Sequence, residues 1–492
     1  MMNIGKNERD TGIALTGRIC DKRITAELSN DFTVPDTQPE IRKILAVTER
    51  LLPPAKYVGG ATVECNGVVD YRVIYLSTDG ELWGACYSAE YELEAPVEKR
   101  DVDTSAGVCT LINAVCEGSS ARVSGGRRVN IRSRISADIQ SYGEIENGNF
   151  ADDDDDASVQ RLCKEVECGC FCTGVSDVIE VSEEIGGLYE DSRVITADAN
   201  AYIKDVSRGA ESIACAGELT LILLVCREGQ RAEQIIKKVP FEGVVELDRP
   251  VGAAQCKASC YVTDVKVSVE EGRADCTVSA VISVELAENQ RVEYTADAYS
   301  TEREWECDSE ILELPSVLVC GKGNFSQNER LPLSETSIPE GASLVEIFPR
   351  VMPEGCEYKG KYEVSGRCVY TVLWEKEGEY GASDVELPVK YAFEGREGEN
   401  ISCAAKGEAI ACRGRIDGEL LCIDAEIIVD AMVTGRERVE RVRDMRLGEP
   451  FERERNRMVV YYPAEGETPW EVAKKYHVRA DSLSEEKNYY LF

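Results

Sequence analysis

Apolar and polar residues alternate along most of this chain. Val69, Tyr71, Val73 and Tyr75 share one face of such a stretch. Leu421, Ile423, Ala425, Ile427 and Val429 share one face of another, with Cys422, Asp424 and Glu426 opposite. A period of two predicts strands with one buried and one wetter face. β-branched and aromatic residues dominate these stretches, and polar breaks such as Thr78-Asp79-Gly80 supply turns. From Pro39 to Val47 the pattern changes. Ile41, Ile44 and Leu45 form an apolar stripe behind a proline suited to the first helical position, which predicts a short helix.

The strand pattern repeats over long distances. A glycine followed by an alternating strand occurs at Gly67, Gly217 and Gly366, spaced 150 and 149 residues apart. A second glycine opens another strand at Gly126, Gly272 and Gly418, spaced 146 and 146 apart. Two independent landmarks with nearly one period identify a triplicated domain, far longer than the roughly 20–50 residues of solenoid repeats. Half-repeats are visible as well: the stretch from Ala201 resembles that from Cys260, each reading as strand, turn, glycine and strand, so each half predicts a hairpin. The expected fold class is mainly β. Three all-β domains of antiparallel, sandwich-like sheets, each with room for one short helix, precede a small α/β module. The expected ranges are residues 1–146, 157–301, 315–445 and 458–492. The run Asn147 to Asp156, with five consecutive aspartates, reads as a solvated acidic linker; it lacks the alternating ligands, turn glycine and terminal Glu of a calcium loop. A second boundary is expected near Glu302 to Leu314. The Arg- and Glu-rich stretch Gly435 to Arg457 is expected to extend a strand and then form a charged connector.

Charge narrows the function. The 492 residues carry a formal net charge of −35, with 43% apolar residues, so the chain is folded rather than disordered. Its surface repels nucleic acid and anionic membranes. The first 17 residues lack the apolar core of a secretory signal, and the longest apolar segment, near Leu221 to Cys226, falls far short of a membrane span. Twenty-one cysteines, an odd number without scaffold spacing, many inside apolar strands as at Cys276, Cys368 and Cys422, fit a reducing compartment.

From Met458 the text changes character. A short strand over Val459 to Tyr462 leads to Thr468-Pro469-Trp470-Glu471, where threonine caps, proline occupies the first helical position and Glu471 completes a capping box. Trp470, Ala473 and Tyr476 then share one helical face. Ser482 and Glu485 offer a second, weaker capping box. Aromatics in so small a domain stay partly exposed and make good interface anchors.

Catalytic chemistry finds little foothold. His477 is the single histidine and reads as a surface residue at the helix end, so no multi-His site is available. Cys168, Cys170 and Cys172, with Cys163 nearby, alternate on one strand face and are the best metal candidate. Three small apolar side chains facing a core is the preferred reading, with oxidative cross-linking a weaker one. No phosphate loop occurs, and no carboxylate pair stands out at this charge density. No catalytic residue, metal or cofactor is assigned.

The motif Val34-Pro35-Asp36-Thr37-Gln38-Pro39-Glu40-Ile41-Arg42-Lys43-Ile44-Leu45 resembles that of the SPOCS spore-coat-associated domains of endospore-forming Firmicutes. It is clear only in the first copy; the second and third rest on the internal period. The tail resembles a LysM module through Gly466-Glu467-Thr468, Trp470, Val472-Ala473, Tyr476 and Val478. It departs in a segment before Asn488 that is one residue longer, and in ending at Phe492 where the closing strand is expected to begin. Together these resemblances imply a non-enzymatic spore-coat assembly scaffold in the mother-cell cytoplasm, at the forespore surface. Its partners are implied to be a coat-basement morphogenetic ATPase (SpoIVA-like) and other coat proteins. The implied docking residues are Tyr462, Gly466, Thr468, Trp470, Val472, Lys474 and Tyr476. The alternative is a peptidoglycan- or cortex-glycan-binding protein using the same module.

Overall fold

The computed structural model describes residues 15–97, 102–103, 108–145, 158–189, 191–209, 211–227, 231–247, 254–451, 460–486 and 489–491. The acidic run 147–156 lies outside them. The fold is mainly β and antiparallel throughout.

The first unit contains β1 (Leu15–Thr33), β2 (Ile41–Leu51), β3 (Ala55–Val58), β4 (Thr62–Ser77), β5 (Leu82–Pro96), β6 (Val102–Asp103), β7 (Cys109–Ser124) and β8 (Arg128–Ile145). The second contains β9 (Val159–Val175), β10 (Ile179–Gly186), β11 (Arg193–Arg208), β12 (Ser212–Cys226), β13 (Glu233–Glu246), β14 (Gln255–Glu270) and β15 (Arg273–Ser300). The third contains β16 (Arg303–Pro332), β17 (Ser343–Tyr358), β18 (Tyr362–Lys376), β19 (Glu379–Phe393), β20 (Ser402–Asp417) and β21 (Leu420–Pro450). Each unit is a sandwich of two sheets. In one, the last strand lies between the first and the penultimate: β8 between β1 and β7, β15 between β9–β10 and β14, β21 between β16 and β20. In the other, strands β11-β12-β13 and β17-β18-β19 form three-stranded meanders, and the first unit matches them with β2-β4-β5, its short strand β3 also pairing with β4. The expected hairpins β11–β12 and β14–β15 are both present.

The alternating stretches fill the sandwiches as their pattern demands. Val69, Tyr71, Val73 and Tyr75 of β4 pack with Ile131, Ile135 and Ile139 of β8. Leu421, Ile423, Ala425, Ile427 and Val429 of β21 pack with Tyr370 and Val372 of β18. Each fully buried side chain of this size stabilises by about 1.5–3 kcal/mol. The two glycine landmarks have separate causes. Gly67 and Gly217 lie within strands opposite Tyr91 and Phe241, whose rings cover them and leave no room for a Cβ. Gly126, Gly272 and Gly418 sit at the tips of equivalent hairpins with φ of 75°, 75° and 61°. That left-handed region strains any residue with a Cβ.

Two sequence expectations need correction. Residues 41–51 are strand β2, not a helix, and among the described residues the three units hold only one helical turn, the 3₁₀ segment Leu333–Glu335. The cause is visible in the register of β2 against β4, which shifts between Ile41 and Lys43 and again between Ile44 and Ala46. Each bulge inserts one residue, so the core positions Ile41, Ile44 and Val47 fall three apart and imitate a helical stripe. The expected boundary at Glu302 to Leu314 narrows to its start: β15 ends at Ser300, and from Arg303 the chain is strand β16, which runs 30 residues paired with β21. The first part of the charged stretch after Gly435 extends β21 to Pro450, as expected.

The units close into a ring about a pseudo-threefold axis. Ile74, Leu224 and Leu373 occupy the same position, seven residues after each landmark glycine, and meet in one apolar cluster at 0% exposure each. A second cluster joins Leu111 and Tyr142 of the first unit, Phe171 and Ala287 of the second, and Val317 and Met432 of the third. Within it Tyr142 and Phe171 stack with ring centroids 4.0 Å apart. Polar links join every pair of units. Arg50 donates to the Ala199 carbonyl at 2.7 Å, Asn200 to the Ala409 carbonyl at 3.1 Å, and Arg350 to Glu49.

Candidate functional site

The tail is a compact α/β module. Strand β22 (Val460–Tyr461) precedes helix α1 (Pro469–Tyr476), and β23 (Ser484–Glu486) and β24 (Tyr489–Leu491) complete a sheet of order β22-β24-β23. The expected capping box is formed. The Thr468 side chain accepts from the Glu471 N–H at 3.3 Å, and Glu471 accepts from the Thr468 N–H at 2.7 Å. This bond holds the Glu471 carboxylate below its ordinary range. Val472 and Ala473, both at 0% exposure, anchor the helix to its module. His477 ends it in the left-handed conformation, φ 56°, and its N–H donates to the Ala473 and Lys474 carbonyls.

Two expectations for the tail fail. The Ser482 capping box starts no helix: residues 480–482 form a single 3₁₀ turn, and Ser484–Glu486 enters the sheet instead. Pairing with β24 satisfies that backbone better than a helix too short to nucleate. Nor does the chain stop before its closing strand, since β24 pairs with both β22 and β23.

The expected docking residues split into two groups. Trp470 and Lys474, one helical turn apart, point together at the second unit. The indole Nε1 donates to Asp297 Oδ2 at 2.8 Å, and Lys474 Nζ donates to both carboxylate oxygens at 2.7 and 2.8 Å. Trp470 also meets Tyr299 edge-on at 4.8 Å, and the Tyr299 hydroxyl donates to the Val478 carbonyl at 2.8 Å. Burial pushes that hydroxyl up to about 12, so it stays a donor at neutral pH. His477 lies against Trp305 and Phe451, with centroids 5.1 and 4.3 Å away. It belongs to this joint and is not the surface residue expected. Tyr462, by contrast, is 69% exposed, Gly466 supplies a turn at φ 87°, Thr468 caps, Val472 is core, and Tyr476 packs edge-on against Tyr461 at 5.3 Å.

Asp297, Tyr299, Trp305 and Phe451 had not been singled out in the sequence. A register shift in β15 between Thr295 and Asp297 turns the carboxylate toward the tail, and a bulge of this kind is a recurrent means of re-aiming a side chain. The available signal was the scarcity of tryptophan: of four in the chain, Trp305 and Trp470 both reach this joint.

The cysteine candidate resolves toward packing. Cys168 is 3% exposed in an apolar cluster, its thiol donates to the Thr16 carbonyl at 3.4 Å, and burial pushes it up to about 11. Cys172 packs against the core of the second unit, whereas Cys163 is exposed. Among the described residues no group of three or more His, Cys, Asp or Glu is placed to hold a metal ion, and the cysteines form no disulfide. No described helix is long and apolar enough to cross a membrane.

No model of a known protein family matches the chain, and no curated protein matches it.

Proposed function

We propose that this chain is a non-enzymatic assembly adaptor whose β ring is a rigid body and whose LysM-like tail engages a partner. The supporting observation is the joint at Asp297. Trp470 and Lys474 belong to the implied docking set, and both hydrogen-bond a single partly exposed carboxylate, with Trp470 also packed edge-on against Tyr299. An indole and an ammonium one turn apart form a compact acceptor for a carboxylate presented on a protein surface. Asp297 occupies that acceptor in the free chain, and a partner's acidic side chain takes its place in the complex. The SPOCS and LysM resemblances give the setting, a spore-coat scaffold at the forespore surface of the mother cell. They also give the partner, a coat-basement morphogenetic ATPase.

Deleting residues 458–492 tests this reading. Pull-down of the coat ATPase is expected to be lost, while co-sedimentation with peptidoglycan is unchanged. ATPase binding that survives the deletion overturns the docking role; loss of glycan pelleting alone favours the glycan-binding alternative.

A further inference from the structure

A half-open cavity of about 270 Å³ lies where the three units meet. Its wall takes equivalent positions from all three units: Arg72, Ile222 and Thr371 each lie five residues after a landmark glycine. The residues are not equivalent in character. Four cations, Arg50, Arg72, Arg350 and Lys406, face three carboxylates, Glu49, Asp198 and Glu408. In a chain of net charge −35 the lining side chains alone carry one positive charge in excess, with Asp70 also acting on Arg50 and Arg72, and the Arg50 and Arg72 side chains are largely withdrawn from water at 14% and 9% exposed.

The hydrogen bonds leave donors over. Arg50 uses only Nη2, on Asp198 and the Ala199 carbonyl; Arg72 uses only Nη1, on Asp198 at 3.1 Å; Arg350 uses only Nη1, on Glu49. Asp198 is thus shared by two guanidiniums. Glu49 is also taken by Ser119, which donates to its second oxygen at 2.8 Å. Each guanidinium carries five N–H groups, so Nε and one Nη of each lack a protein acceptor among the described residues, and the Arg350 Nε is buried as well. Burial, with Arg72 alongside, holds the Arg50 guanidinium down to about 9, as expected where cations outnumber their partners.

We infer that this cavity binds a small tetrahedral oxyanion, a phosphate or a compact phosphomonoester. Planar guanidinium forks match phosphate oxygens in pairs, and the space exceeds the ~30 Å³ share of one water several-fold. The long-range repulsion of the acidic surface is screened within about 8–10 Å at physiological salt, leaving the local excess to act. Arg350, with 30% of its side chain exposed, marks the solvent side. The bound anion bridges the first and third units, so occupancy stabilises the closed ring.

Calorimetric titration of the full chain with inorganic phosphate, at ionic strength held constant with chloride, is the test. Thermal unfolding runs in parallel. The expected result is saturable binding of one phosphate per chain, competition by sulfate but not acetate, and a rise in Tm. Glycerol phosphate in a separate arm tells a phosphomonoester site from one for free phosphate. Arg72→Gln is expected to weaken binding at least tenfold. Arg350→Gln gives the same readout if the first variant does not fold. Lys359→Gln, at a position with 64% of its side chain exposed, is expected to bind normally. Absence of saturable heat and of a Tm rise means that water alone fills the cavity, and undiminished binding by both arginine variants places the anion elsewhere. Either result overturns the proposal.

Discussion

The molecule is held together by two kinds of interface, and they are built from opposite materials. Unit meets unit through Ile74, Leu224 and Leu373, apolar side chains sealed from water on a shared axis. The tail meets the body through an indole, an ammonium and one carboxylate, with the Lys474 and Asp297 side chains 34% and 29% exposed, beside aromatic contacts of Trp470 with Tyr299 and of His477 with Trp305 and Phe451. The first contact gains from every apolar atom it covers and has no replacement in solvent. The second rests in part on hydrogen bonds that water or another protein can also supply.

Substitution at the axis breaks the stronger side of this comparison. Leu224→Ala is expected to lower global stability by about 2–5 kcal/mol, the range for emptying a sealed core position, seen as a lower denaturation midpoint in urea. An unchanged midpoint means that the units do not depend on one another.

Glu346 gives the ring a pH dependence. It is 2% exposed, accepts from Gln234 of the second unit and from the Ile347 N–H, and burial pushes its carboxyl up to about 8. The folded chain thus keeps a proton that the unfolded chain releases near 4.5. This contribution is fully present below about 4.5 and lost as pH rises through 8. A tenfold change in proton affinity is about 1.4 kcal/mol, so the loss amounts to a few kcal/mol. Glu346→Gln is expected to flatten the stability–pH profile between 5 and 8; an unaltered slope disproves the assignment.

At the tail, Asp297→Asn removes the charge that Lys474 faces, and a charge-assisted contact of this kind is worth about 1.5–3 kcal/mol. Faster proteolysis after Pro450 is expected, with the urea midpoint of the ring unmoved. Capture of a partner through Trp470 is expected to rise; a fall would make the joint part of the partner's site rather than its competitor. The smallest effect belongs to Thr468→Ala, about 1 kcal/mol for a lost cap, read as faster amide exchange in α1 alone.

Sequence pattern reached the repeated architecture because its causes are local. Three hairpin tips need a glycine at positive φ, and two mid-strand glycines need an aromatic cover, so each leaves a mark at a fixed period. The capping box at Thr468 was legible for the same reason: both partners lie within three residues. Bulges defeated the reading of Ile41 to Val47, since an inserted residue changes the apolar spacing without changing the structure type. The Asp297 joint and the central cavity were beyond reach. Asp297 and Trp470 are 173 residues apart, and the cavity wall draws one short stretch from each of several distant strands.

The order of strands has a consequence for how the chain is made. In each unit the opening strand pairs with the last one, β1 with β8, β9 with β15 and β16 with β21, so during synthesis the opening strand waits, unpaired, for roughly ninety residues or more. Three related units in one chain offer that edge wrong partners, and early pairing across units is the misassembly this topology invites.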